Sequence, residues 1–289
     1  MPPDAASAHP AIKIELLVRY LDAWLPAALH GHKRVTYVDS SVESALAAAK
    51  VVVEFEDVLH RHTVTLISPA IELEVDVPPG LVLAPIEGDL LPALRDARAL
   101  GSPIFAWLSA PVPPDLLSAV GKNKSSEVTL AGADDTAARA LRNAGLPLQV
   151  SVDLVDKSGQ SERLVFATSS ERALEKFKDE LWALDEYGGI RLRDPTDPEG
   201  TLLDISVQPQ TGPLRRALVA RVSETGGSTL AELRAWAVHE TIFRSADATR
   251  AVQAVLAAGL AARTPHSGRL SPDTLIHPVS TEVMADVDE

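Results

Sequence analysis

The sequence predicts an α/β protein: a mostly parallel sheet closed by an antiparallel hairpin, followed by a smaller helical module. Three observations carry this. Between Arg34 and Asn143, short apolar runs of strand type alternate with stretches of helical spacing, the pattern of parallel strands joined by crossover helices. Leu148 to Thr168 reads as two alternating runs around the polar turn Asp156-Lys-Ser-Gly-Gln-Ser161, which is a hairpin. After Pro213 the spacing is purely helical until Arg263 to Leu270, a possible β wing. The boundaries read as 1–190 for the sheet domain, 191–212 for a loop-rich linker, 213–278 for a module of winged-helix order and 279–289 for an acidic tail.

The elements follow in order. Ile12, Leu16, Leu17, Tyr20, Leu21, Trp24 and Leu25 recur at helical spacing between Pro10 and Leu29. Arg34–Asp39 reads as a buried strand, Ser41 to His60 as a helix and Thr63–Ile67 as a second strand. Ile71–Val77 alternates with period two, so a half-exposed strand is expected there. Leu81–Ile86 is a strand, Leu90–Leu100 a helix, Pro103–Leu108 a strand, Pro114–Val120 a short helix and Glu127–Leu130 a strand. Asp134 is a good N-cap for a helix to Asn143, and Ser170 for one to about Leu184. In the last module, helices are expected at Leu214–Val222, Thr229–Val238 and Ala246–Leu256, with Ser228 and Ser245 as caps.

Composition is that of an ordinary globular chain, 46% apolar and 23% charged. No apolar run approaches the roughly 18 residues that span a bilayer, and Met1 to His9 lacks the features of a signal peptide. A cytoplasmic protein without membrane contact is therefore expected. Cysteine is absent, which excludes disulfides, thiolate metal sites and a cysteine nucleophile. The net charge of −13 should repel nucleic acid over most of the surface. Residues 213–275 are the exception, with eight Arg against five Asp or Glu.

A parallel α/β sheet ending in antiparallel strands resembles the Rossmann-like class I methyltransferase fold. Particular segments go further. Lys13…Leu16-Leu17…Tyr20-Leu21…Trp24-Leu25-Pro26, Arg34-Val-Thr-Tyr-Val-Asp39, Gly101-Ser-Pro-Ile-Phe-Ala-Trp-Leu108, Ser125-Ser-Glu-Val128 and Leu164-Val-Phe-Ala-Thr168 resemble the three-Cys-motif partner proteins. That bacterial family has methyltransferase-like architecture, and the tail after Pro213 matches it in order. The resemblance implies a protein partner carrying a three-cysteine motif; no cofactor is expected here, and S-adenosylmethionine is the one implied if the chain is an enzyme.

In such a sheet the ligand lies across the carboxyl ends of the strands. The family has a phenylalanine–alanine–glycine turn after its first-strand Asp, because glycine lets the backbone approach the ligand. Here Asp39 leads into Ser-Ser-Val-Glu-Ser-Ala-Leu, with no glycine before Gly80. The second strand ends Ile67-Ser68-Pro69 rather than in a ribose-binding acid. The fourth is followed by Ser109-Ala110-Pro111-Val112, where the family has Asp-Pro-Phe-Gly. Asp39, Glu87 and Asp89 remain as vestigial cofactor-binding candidates, although acids in such places serve more often as helix caps or first-turn acids. No catalytic residue is identified, and a non-catalytic scaffold is expected. The alternative is a methyltransferase or related nucleotide-binding enzyme.

Two His-x-His pairs, His30/His32 and His60/His62, sit in polar helix-end contexts that suit solvated histidines better than zinc. Gly121-Lys122 fails as a phosphate loop, and no Gly-x-Ser-x-Gly elbow exists. In the last module Arg244, Arg250, Arg263 and Arg269 are candidate phosphate contacts of a DNA-binding accessory factor. The competing reading is a protein-docking module.

Overall fold

The structure, a computed structural model, describes residues 9–123, 125–185 and 189–279. The acidic residues of the tail lie outside them. The chain divides into two units, the first comprising Met1–Pro195 and Leu202–Val207, the second Thr196–Thr201 and Gln208–Glu289.

The first unit runs α1 (His9–Gly31), β1 (Arg34–Asp39), α2 (Val42–Glu54), α3 (Glu56–Leu59), β2 (Thr63–Ser68), β3 (Leu81–Pro85), α4 (Leu91–Ala99), β4 (Ile104–Ser109) and α5 (Pro114–Gly121). It continues with β5 (Ser126–Ala131), α6 (Asp135–Asn143), β6 (Leu148–Val155), β7 (Ser161–Thr168), α7 (Glu171–Trp182), β8 (Arg191–Arg193) and β9 (Leu202–Asp204). These strands form one sheet in the order β3-β2-β1-β4-β5-β7-β6-β8-β9. The β3-β2-β1-β4-β5 half is parallel, and every pairing from β5–β7 onward is antiparallel. The unit is thus a Rossmann-like mixed α/β fold.

Period-two alternation assigns each strand two faces. Val38, Ile104, Ala106, Leu108, Val128, Leu130, Val165 and Ala167 form one core with α4, α5 and α6. The intervening positions Tyr37, Phe105, Glu127 and Phe166 belong to the other face, where α1 packs against β1, α2 and α7. Tyr20 of α1 sits edge-on to Phe105, Phe166 and Phe177, each centroid 5.3 Å away. Such a cluster holds its rings rigidly.

Ile71–Val77 is irregular, not a strand. Its alternation decays into exposure, with Val75 and Val77 about half-exposed, and it finds no strand partner. The twelve residues 69–80 are enough to carry β2 back to a parallel β3 without a helix. The return passes so close to α3 that a Cβ on Gly80 would meet the Leu59 carbonyl oxygen at 2.2 Å. The segment read as linker holds β8 and β9, too short for periodicity to reveal. The long second helix breaks at Phe55 into α2 and α3.

The second unit contains α8 (Gly212–Thr225), β10 (Ser228–Thr229), α9 (Leu230–Glu240), α10 (Ser245–Ala257), β11 (Ala262–Thr264) and β12 (Leu275–His277). Its antiparallel sheet has the order β10-β12-β11. Thr229, not Ser228, caps α9, in a reciprocal box with Glu232. Ser228 pairs instead with Ile276 in the sheet. Ser245 is the first helical residue of α10, and the Asp247 carboxylate accepts from the Arg244 backbone N–H at 3.1 Å.

Candidate functional site

The carboxyl rim of the parallel strands is where the fold would place a ligand. Only Ser40 and Ser41 separate β1 from α2. Ser41 caps α2, its hydroxyl accepting the Ser44 N–H at 3.3 Å. Asp39 is fully buried and bonded by its own chain. One carboxyl oxygen accepts the Ser41 N–H at 2.8 Å and the Ser44 hydroxyl at 2.6 Å; the other accepts the Tyr37 hydroxyl. Burial pushes its carboxyl up to about 6, against the downward pull of these donors.

The rest of the rim is equally self-satisfied. Ser40 accepts the Ser109 N–H at 2.9 Å, joining the ends of β1 and β4. The Ser68 hydroxyl donates to the Pro69 carbonyl at 2.8 Å. Glu87 and Asp89 lie exposed in the loop after β3, and Asp89 accepts the Leu91 N–H at 2.9 Å at the start of α4. The three acids are not brought together as a ligand shell. The strand-to-helix turn holds no glycine to bring bare backbone up to a nucleoside, and Asp39 already accepts three hydrogen bonds from its own chain.

The arginine candidates separate similarly. Arg244 and Arg250 both pair with the buried Asp247, at 2.8 and 2.6 Å, which holds that carboxyl below its ordinary range against the upward pull of burial. Their first role is to neutralise an interior charge. Arg263 donates to the His266 and Gly268 carbonyls, bracing the turn after β11. Arg269 is exposed on that same stretch. The His-x-His pairs are explained by helix ends. His32 and His62 make ring contacts with the carbonyls of Ala28 and Val58, one turn back. Among the described residues no three His, Asp or Glu side chains converge on a metal position.

The opposite edge of the sheet holds what the sequence reading missed. A cavity of about 830 Å³ lies between α1 and α7, at the amino ends of β4 and β5. Glu127, the second residue of β5, stands in its lining beside Tyr20 and Trp24. Tyr20 donates its hydroxyl to Glu127 Oε2 at 2.5 Å, and the Trp24 side chain is a second donor. Burial pushes the Glu127 carboxyl up to about 7, with both donors pulling it down. The available signal was a glutamate inside an otherwise buried strand, Ser126-Glu-Val-Thr-Leu-Ala131.

Among the described residues no helix is long and apolar enough to cross a membrane. No family model matches the chain, and no curated protein matches it. Among solved structures, the crystal structure of MNMC2 from Aquifex aeolicus is similar over 56% of this chain, at 16% identity and a TM-score of 0.34. The likeness covers 65% of that protein, just under two thirds of its length, and assigns no role to any residue here.

Proposed function

We propose that this chain is a degenerate member of the three-Cys-motif partner family, a methyltransferase-type scaffold without turnover that acts by binding a protein. The partner would carry the three-cysteine motif and supply metal chemistry that a cysteine-free chain cannot. The single observation behind the loss of turnover is the closed rim. Asp39, Ser41 and Ser44 satisfy one another where a cofactor would need open donors and acceptors. The antiparallel β7 inserted between β5 and β6 supports the methyltransferase-type architecture.

The second unit is read as a winged helix, supported by its element order and by β12 lying between β10 and β11. The helix that would enter a DNA groove, α10, offers Ala246, Gln253 and Ala257 to solvent. Arg250 on the same helix is partly exposed, but its charge is already paired with Asp247 at 2.6 Å, which favours protein docking over DNA binding.

The test is a thermal-shift titration of the full chain with S-adenosylmethionine and S-adenosylhomocysteine. No shift is expected at about millimolar ligand. A bound cofactor would add about 2.7 kcal/mol at a hundredfold excess over Kd, and a saturable shift of that order would overturn the scaffold reading.

A further inference from the structure

We propose that the cavity between α1 and α7 is a binding site for a small organic ammonium ion with an apolar body, its nitrogen seated on the Glu127 carboxylate. Nothing in this depends on the scaffold reading above.

The first support is how this chain treats three other buried acids. Asp153 carries Arg163 at 2.7 Å and Arg193 at 2.9 Å. Asp247 carries Arg244 and Arg250. Asp39 has three donors of its own chain around it. Among the described residues Glu127 has two neutral donors, a phenol and an indole, and no salt bridge. A carboxylate offers about four acceptor positions, so capacity remains, and it opens into a cavity rather than into packed side chains. Glu127 is part-buried with acceptor capacity left over, and a cationic ligand would supply the charge partner that its neutral donors do not.

The cavity walls agree in chemistry. Its volume of about 830 Å³ falls in the usual range for small-molecule sites, about 300–1,000 Å³. Tyr20 and Trp24 are almost wholly buried beside the acid, and the apolar surface open to a ligand's body comes from Ala23, Ala27 and Ala28 of α1. The α7 wall carries Glu171, Glu175 and Asp179 against Arg172 and Lys176, with His32 at the end of α1. Lys176 is already paired to Glu180 at 2.6 Å. The raised Glu127 carboxyl then couples binding to a proton: below about pH 7 the ligand must displace it, so affinity rises with pH.

Calorimetric titration of the full chain with phenethylammonium, and with 2-phenylethanol and phenylacetate as neutral and anionic counterparts, tests this directly. At about pH 8 the ammonium should saturate one site and bind at least about tenfold tighter than either counterpart, as expected of a charge-assisted contact. Glu127→Gln should weaken it at least tenfold, and lowering the pH to about 5.5 should do the same by protonating the acid. Tyr20→Phe keeps the ring packing but removes a donor to Glu127. It should retain binding while moving the pH midpoint upward, which a purely structural role would not do. The absence of saturation by about 10 mM ammonium, a Kd too weak for a built site, would overturn the proposal. So would equal binding of the alcohol, preferred binding of phenylacetate, or an unmoved midpoint in Tyr20→Phe.

Discussion

The two ends of the parallel strands each hold an acid, Asp39 fully and Glu127 partly buried, and they treat it in opposite ways. At the carboxyl edge, Asp39 is enclosed by Tyr37, Ser41 and Ser44, and the strand turns into helix within two residues. At the amino edge, Glu127 holds two neutral donors and faces a cavity. Burial raises both carboxyls, to about 6 and about 7. The difference lies in what remains to be satisfied. The edge where the fold tradition expects a ligand is closed by its own side chains, and the edge where none is expected keeps an acceptor open. Fold therefore predicts where a site could be, while hydrogen-bond completeness indicates whether one is present.

The largest break in this comparison is Asp39→Ala. It strands the buried Tyr37 hydroxyl and removes the acceptor for Ser41 and Ser44. Three hydrogen bonds to a charged group, at roughly 1.5–3 kcal/mol each, outweigh the relief of removing a buried carboxylate. A rise from 3.8 to about 6 makes that relief about 3 kcal/mol. A net loss of about 4 kcal/mol is expected in urea unfolding. A variant of unchanged stability would mean the rim is open in solution.

Next in size is a pH effect. An acid with a higher pKa in the folded state binds more protons there than in the unfolded chain, so stability falls as pH rises through the interval between the two values. For Glu127 that interval runs from 4.5 to about 7, a loss of about 3 kcal/mol at about 1.4 kcal/mol per unit. Glu127→Gln should remove this slope, leaving the separate loss from Asp39 between 3.8 and about 6. Urea midpoints measured across that range check it, and an unchanged slope in Glu127→Gln would mean the acid is solvated.

Strands and helices long enough to show a period were legible: β1 and β6 have the expected bounds, and Asp134 and Ser170 cap as expected. Legibility failed where three dimensions override the local pattern. Ile71–Val77 alternates perfectly yet is spent on the link that carries β2 to β3 and pairs with no strand, and β8 and β9 have three residues each. The empty glycine turn at Asp39 could be seen in the sequence, but not that Tyr37 and Ser44 would fill it. The partnership of Arg244 and Arg250 with Asp247 was hidden for the opposite reason: the spacing put them on one helix end, and only burial of the acid decided that both pair with it, Arg250 from a partly exposed position. Glu127 was passed over because a single acid in a strand has no motif; its meaning comes from Tyr20 and Trp24, about a hundred residues away.

The smallest effect sharpens the contrast from the rim's outer side. Glu87 is exposed in the loop after β3, and Gly88 beside it takes a φ of +88°, so the turn is shaped by glycine rather than by the acid. Glu87→Ala should change stability by no more than about 0.5 kcal/mol, as surface replacements do, and should leave the response to S-adenosylmethionine as flat as in the parent chain. Gly88→Ala is the sharper partner, because an L side chain is strained at that φ although the space around it is open. It should cost about 1 kcal/mol. If instead Glu87→Ala carried the larger loss, the carboxylate would be holding something at the rim, and the closed-edge account of Asp39 would have to give way to a ligand shell that includes both acids.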